Sequence, residues 1–308
     1  MTFHTVHAAN HHLGWDRSLP PALHVSPGDA VEFEVVDASG GQLDQTSTAA
    51  DVARLDFGRV NPVTGPVFVE GAEPGDALVV EILDLEPSGW GWTALVPGFG
   101  LLADQFPEPW LHISRYDARG LEFAPGIRLP VRPFPGTIGV APAEPGRHSV
   151  VPPREVGGNM DVRDLTRGAV LYLPVQVPGA LFSVGDTHAA QGDGEVCGTA
   201  VESPMRVRLR FGLRKAAGLR RPQFQIPGPP TRHVDEAGYH VTLGIGPDLM
   251  AAARDAVRDM IDHLGREHRL EPAMAYALCS VGCDLRISEI VDAPNWVVAC
   301  YLPRSIFV

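Results

Sequence analysis

Ser26-Pro27-Gly28-Asp29 leads into Ala30-Val31-Glu32-Phe33-Glu34-Val35, a turn followed by a run in which apolar and acidic residues alternate. Pro presets φ for the turn, Gly turns at little steric cost, and Asp bonds to its own backbone. The period-two alternation predicts a strand with one buried face. The design recurs at Glu73-Pro74-Gly75-Asp76, which sits between 66–70 and Ala77-Leu78-Val79-Val80-Glu81-Ile82-Leu83. Residues 22–25 read as a strand before the first turn. Two such turns, each followed by an apolar-acidic run, predict a β-sandwich or jelly-roll-like sheet.

Working outward, Met205–Arg214 is the clearest amphipathic strand. Val207, Leu209, Phe211 and Leu213 fall on one side, and Arg206, Arg208, Arg210 and Arg214 on the other. Residues 169–184 read as buried strand. Residues 86–150 are rich in Gly, Pro and aromatics, and irregular structure of that length tends to be functional. Within it, Trp90 and Trp92 flank Gly91 and read as core or pocket wall. Residues 216–238 read as a Pro/Arg-rich linker or surface arm.

A helix follows, with Pro247 in its first turn, Asp248 against the dipole, and apolar residues at helical spacing up to Gly265. A shorter helix at 272–280 and strands at 285–291 and 296–302 close the chain. The predicted class is mainly β: a sandwich or jelly-roll-like core, a further barrel-like portion and a small C-terminal α+β part. Residues 1–215 are expected to form the catalytic core, as one unit or as two packed units of about 1–150 and 151–215. Residues 216–308 pack on it.

The 308 residues can bury a sizeable core, and the 33 glycines and 29 prolines favour short strands joined by turns. A net charge of -12 argues against a nucleic-acid partner. Cys197, Cys279, Cys283 and Cys300 form no CxxC pair and are expected to be reduced and buried. Residues 1–15 carry four histidines and no long apolar run, so they do not read as a signal peptide. The histidines at 4, 7, 11 and 12 are expected to be mostly solvated. No stretch has the length of a membrane span, and the cytoplasm is the expected compartment.

The densest polar cluster is Gly185-Asp186-Thr187-His188-Ala189-Ala190-Gln191-Gly192-Asp193-Gly194-Glu195, between two predicted strands. In a locally extended segment Asp186 and His188 point to the same side. They then make a bidentate ligand pair for Zn²⁺ or a similar ion. Glu195 can accept a proton from activated water. A polar hairpin loop accounts for the same residues about equally well. In Gly157-Gly158-Asn159-Met160-Asp161, the paired glycines allow a ligand close approach. Asn159 can donate to an amide carbonyl or oxyanion, and Asp161 can be a third ligand; a Gly-Gly turn with an Asx cap is the bland reading. Asp37, Glu70, His148 and Glu202 are lesser candidates.

In this order, these stretches resemble the acetamidase/formamidase family over nearly the whole chain. The resemblance is carried by Asn61-Pro62-Val63-Thr64-Gly65-Pro66, by Val69-Glu70-Gly71-Ala72-Glu73-Pro74-Gly75-Asp76, by Gly157-Gly158-Asn159-Met160-Asp161, by 185–195 continuing through Gly198-Thr199-Ala200-Val201-Glu202, and by 271–290. It implies hydrolysis of short aliphatic amides such as formamide or acetamide, a metal-assisted site and a mostly β fold. Some relatives act on cyclic amides, so a lactam is a second substrate class. Asn61 departs from a pattern that often has His there.

The expected mechanism places a divalent metal, Zn²⁺ by preference with Ca²⁺ as a structural alternative, on Asp186, His188 and Asp161. Glu195 or Asp193 is the base, Asn159 stabilises the oxyanion, and Gly158 and Gln191 contact the substrate. One oxyanion donor is typically worth about 2.7–4 kcal/mol. Lysine-dependent amidase centres fit poorly, because the only lysine, Lys215, lies outside both glycine-rich clusters. A Cys197 nucleophile has no obvious adjacent base. The other class is a metal- or amide-binding β-sandwich without turnover. A small amide is the expected partner, and a homodimer or higher homo-oligomer the expected assembly.

Overall fold

The structure, a computed structural model, describes residues 3–117, 119–227, 237–290 and 293–308. Two sheets face each other. The first runs Phe3–Val6, Ala30–Val35, Met205–Arg214, Ala77–Pro87, Val170–Pro174, Gln223–Gln225 from edge to edge. The second runs Gly157–Asn159, Phe134–Gly139, Phe182–His188, Val63–Val69, His11–His12, with Leu23–Val25 parallel beside Val63–Val69.

Alternation decides which faces meet. On Met205–Arg214 the residues Val207, Leu209 and Phe211 are buried. On the opposite face Arg208 pairs with Glu32 at 2.7 Å and Asp84 at 3.2 Å, and Arg210 pairs with Glu81 at 2.8 Å. The acidic residues read as the outward half of the neighbouring strands are thus cross-strand partners of the arginines. Inside, Phe33 and Phe211 of the first sheet meet Phe182 of the second edge-on, at 5.8 and 5.0 Å between centroids. The expected sandwich core is present.

Residues 86–150 are more regular than expected. Trp90–Leu95, Trp110–Asp117, Gly120–Ala124 and Ile127–Leu129 form a four-stranded antiparallel sheet, and Phe134–Gly139 enters the second large sheet. The expected barrel-like portion is not closed: among the described residues the sheets are open, and this one is a meander. Of the arm, Gln223–Gln225 is a strand on the edge of the first sheet; residues 228–236 lie outside the described residues.

The C-terminal part is a three-stranded sheet, Tyr239–Gly246, Trp296–Pro303, Asp284–Glu289, with two helices. The first helix, Leu249–His268, starts two residues after Pro247. Asp248 is its N-cap and accepts from Ala251 N at 2.7 Å, so Pro247 precedes the helix. It passes Gly265 and ends at Arg269, whose φ is 56°. The second helix, Pro272–Gly282, extends two residues past its expected end. Residue 291, where the penultimate strand was expected to end, is outside the described residues. The strand Tyr239–Gly246 is one the sequence reading lacked. It lies tight against the first helix, where a Cβ on Gly244 would fall 1.7 Å from Ala252 O.

Candidate functional site

The strand Phe182–His188 is buried along its whole length between Phe134–Gly139 and Val63–Val69. It carries Asp186 and His188. The strand Gly157–Asn159 pairs with Thr137, Ile138 and Gly139 and delivers Asp161 just past its end. The chain then turns through 192–195 and returns, so that Glu202 bridges Trp92 and His188. Local backbone conformation shows how tightly this is held. Asn61, Asp161, Asp186 and Glu195 all have positive φ, between 43° and 52°. Non-glycine residues in this region cost about 1–3 kcal/mol each and persist only where surroundings over-determine them.

Five ionisable groups converge. Asp161, Asp186 and His188 each offer a ligand atom within 4.8 Å of the others, and so do His188, Glu195 and Glu202. His188 Nε2 lies 3.3 Å from Asp186 Oδ1 and 3.1 Å from Glu202 Oε2. His188 Nδ1 meets Gln191 Oε1 at 2.8 Å, while Gln191 Nε2 donates to Asp161 O at 2.9 Å. The second bond fixes which end of the amide is oxygen, so Nδ1 carries a proton and Nε2 faces the carboxylates. Gln191 therefore orients His188.

Asn61 Nδ2 donates to Asp186 Oδ2 at 3.3 Å. Thr137 Oγ1 lies 2.6 Å from Asn159 Oδ1 and 3.3 Å from Asp186 Oδ2. Ala200 N donates to Glu202 Oε1 at 2.9 Å.

The electrostatics demand counter-charge. Asp186, His188 and Glu202 are buried, and the carboxyl groups of Asp161 and Glu195 are enclosed although their residues keep some exposure. Burial and the neighbouring Asp186 push Asp161 up to about 6. Burial pushes Glu202 up to about 7 despite the opposing pull of His188. Burial, then Asp161, pushes Glu195 well above the usual carboxylate range. Burial works against a charged His188, but Glu202 and Asp186 outweigh it and hold its pKa well above the ordinary value. Asp161 Oδ1 and Glu202 Oε2 are buried with no hydrogen bond; the His188–Glu202 contact has ion-pair distance but not hydrogen-bond geometry.

A Cβ on Gly136 would fall 2.5 Å from Asp161 Oδ1 and 2.8 Å from His188 Cε1, so only glycine leaves this space open. Carboxylate oxygens with unused lone pairs, converging on an imidazole nitrogen, form a donor set that suits a divalent cation.

Other expected residues go elsewhere. Asp193 Oδ1 is 3.1 Å from Arg163 Nε, and Arg163 also clamps Asp284 at 2.5 Å. Asp37 accepts from Ser39 N and from Trp92 Nε1, both at 2.9 Å, so it anchors a turn and an indole. Glu70 is half-exposed and paired with His24 at 3.0 Å. His148 is half-buried, with its ring at Glu144 O and its backbone bridged to Trp15. Glu202 was ranked low and sits at the centre.

Gly158 has φ 98° and lies near the Trp15 indole: Nε1, 3.6 Å from where a Cβ on Gly158 would stand, is a buried donor with no hydrogen-bond partner among the described residues. The N-terminal histidines are not all solvated. His12 bonds Ser183 Oγ at 2.8 Å, and burial lowers its pKa to about 4. Gly136 and Thr137 were missed; Pro135-Gly136-Thr137-Ile138-Gly139 carries only a faint strand pattern.

A β-sandwich with a buried carboxylate–imidazole centre at the meeting of its second sheet and two glycine-rich loops is the class of protein this fold and site define. The chain belongs to the acetamidase/formamidase family, whose pattern matches residues 3–149 and 143–308. It is 32% identical to a formamidase of Methylophilus methylotrophus over 96% of this chain and 89% of the relative. It is 31% identical to an acetamidase of Mycolicibacterium smegmatis over 70% of each. Among solved structures, a gamma lactamase from Delftia acidovorans superposes with a TM-score of 0.90 at 30% identity, covering 97% of this chain and 89% of that one.

Proposed function

We propose that this chain hydrolyses small linear amides of the formamide or acetamide kind to a carboxylate and ammonia, with a divalent cation, Zn²⁺, held by Asp161, Asp186 and His188. The observation that carries this reading is the enclosed convergence of these residues with Glu195 and Glu202, in which Asp161 Oδ1 and Glu202 Oε2 are buried without a hydrogen bond from the described residues. When bound, the cation would supply a Lewis acid and make water nucleophilic near neutral pH.

The chain's own groups do the rest. Gln191 holds the Nδ1 proton of His188, leaving Nε2 directed inward. Glu195 takes a proton from the attacking water and returns it to the leaving nitrogen, a task suited to an enclosed carboxyl whose pKa is raised. Asn159, tied to Thr137, and the backbone of Gly158 flank the carbonyl. Likeness to a protein named as a gamma lactamase favours a second reading, a cyclic amide, at the same centre.

The direct test is ammonia release from a panel of linear and cyclic amides before and after chelation. Activity should vanish with the metal and return with Zn²⁺; full activity in protein shown by elemental analysis to be metal-free would refute the reading.

A second measurement uses pH. Asp161 and Glu202 bind protons more tightly folded than unfolded, at about 6 and about 7 against 3.8 and 4.5. Their neutral forms favour the fold in acid, and that advantage is lost as pH rises through those values. Metal-free protein should therefore show a Tm that falls across this interval, and saturating Zn²⁺ should remove the fall. An identical Tm profile with and without Zn²⁺ would count against a cation at these carboxyls.

Self-association belongs to the same reading. Val241, Leu243 and Ile245 alternate outward on Tyr239–Gly246 and are exposed, an apolar face that water does not favour. Leu243→Glu should shift sedimentation toward the monomer; an unchanged sedimentation coefficient would remove this face as the interface.

A further inference from the structure

Cys279 and Cys283 stand one turn apart at the end of the helix Pro272–Gly282, where Cys283 is the C-cap and its N–H bonds Cys279 O at 3.2 Å. Residues four apart on a helix share a face. Cys300 lies in the middle of the strand Trp296–Pro303, buried like Val298 and Leu302 to either side of it. The three sulfurs lie within 4.8 Å of one another. All three residues are at most 2% exposed and unoxidised. Isolated buried thiols behave as small hydrophobes, and Cys197, whose sulfur contacts Ala94 O and Thr199, is of that kind. Three sulfurs brought together from a helix end and a strand are a different object.

We propose that Cys279, Cys283 and Cys300 form a second metal site, a three-coordinate thiolate site for a soft monovalent cation of the copper(I) class.

Geometry and charge support this. At a metal–sulfur distance of about 2.3 Å, three sulfurs around one ion stand about 4 Å apart, within reach of small side-chain rotations here. Soft sulfur ligands select Cu(I) over hard cations. Among the described residues no imidazole or carboxylate completes the group, so the fourth ligand of a tetrahedral zinc site is not supplied. Each thiol is in hydrogen-bond contact with the other two. The neighbouring Asp284 is already matched by Arg163 and by Arg286 at 2.9 Å, so it adds little repulsion to an anionic sulfur set. Binding would release the remaining thiol protons to solvent.

The site adjoins the amidase centre without sharing a ligand with it. Gly192 N donates to Ser280 O at 2.7 Å, and a Cβ on Gly192 would fall 1.7 Å from Cys283 O.

The test is anaerobic titration of the reduced full chain with Cu(I) against a chromophoric Cu(I) chelator, alongside protein isolated from copper-supplemented cells. One equivalent should be retained per chain, and retention should disappear in Cys300→Ser and Cys283→Ser. His188→Ala should keep it, which separates this site from the carboxylate centre. Copper-edge X-ray absorption on the unmutated chain should show three sulfur neighbours, a readout independent of whether the serine variants fold. Surrender of all copper by both preparations, retention in Cys300→Ser equal to the parent, or nitrogen and oxygen neighbours would each overturn the proposal.

Discussion

His188→Ala and Asp186→Asn are expected to abolish bound metal and amide hydrolysis together while the thermal unfolding transition stays cooperative. His188 is fully buried, and its Nε2 is the nitrogen facing Asp186 and Glu202. Removing the ring leaves a donor set of carboxylates only, crowded and without the neutral ligand that suits zinc. Removing the Asp186 charge takes away one of the anions the cation would neutralise.

The loss should exceed the roughly 10–100-fold typical when only an outer partner of a ligand is deleted. Gln191→Ala supplies that comparison, because it removes the acceptor on Nδ1 and leaves every proposed ligand in place. Activity and elemental analysis on the same samples read the result. Full metal content in His188→Ala would sink the ligand assignment, and loss of the fold in all three variants would point to a structural role for the cluster.

Much of the scaffold could be read from residue order. Met205–Arg214 announced its faces because arginines alternate with apolar residues, and its neighbours carry Glu32, Glu34 and Glu81 at the complementary positions. The segment 185–195 drew notice because polar residues and glycines sit between buried strands.

Legibility failed where the information is not local. Glu202 has nothing acidic beside it in sequence, and only the return of the chain along Trp92 and His188 brings it inward. Gly136 matters because of the space it leaves beside Asp161 and His188, which no local pattern reports. The left-handed backbone at Asp161, Asp186 and Glu195 is imposed by surroundings, since nothing in an Asp or Glu demands positive φ. Asp193 differs in the opposite way: its spacing suits the cluster, and the structure pairs it with the buried Arg163, which also holds Asp284. Trp90–Leu95 and its neighbours were hidden by Gly and aromatic residues that weaken period two.

Glu195→Gln should keep the metal and lose activity by about 10²–10⁴-fold, the usual contribution of a positioned general base. The substitution preserves shape and removes the ability to accept a proton, so a role as base and a role as ligand come apart in one variant. The environment of Glu195 is that of a proton carrier. Burial and the adjacent Asp161 raise its pKa well above the usual range. A base must be unprotonated to act, so activity in the parent should fall on the acid side of that raised pKa. In Glu195→Gln the residual activity should lose this acid limb. Measurements of kcat and kcat/KM against pH, with metal content determined at each end of the range, decide the matter. Should Glu195→Gln release the metal, Glu195 is a ligand; should it retain both metal and full activity, proton transfer belongs to another group, with Glu202 next in line at 3.1 Å from His188 Nε2.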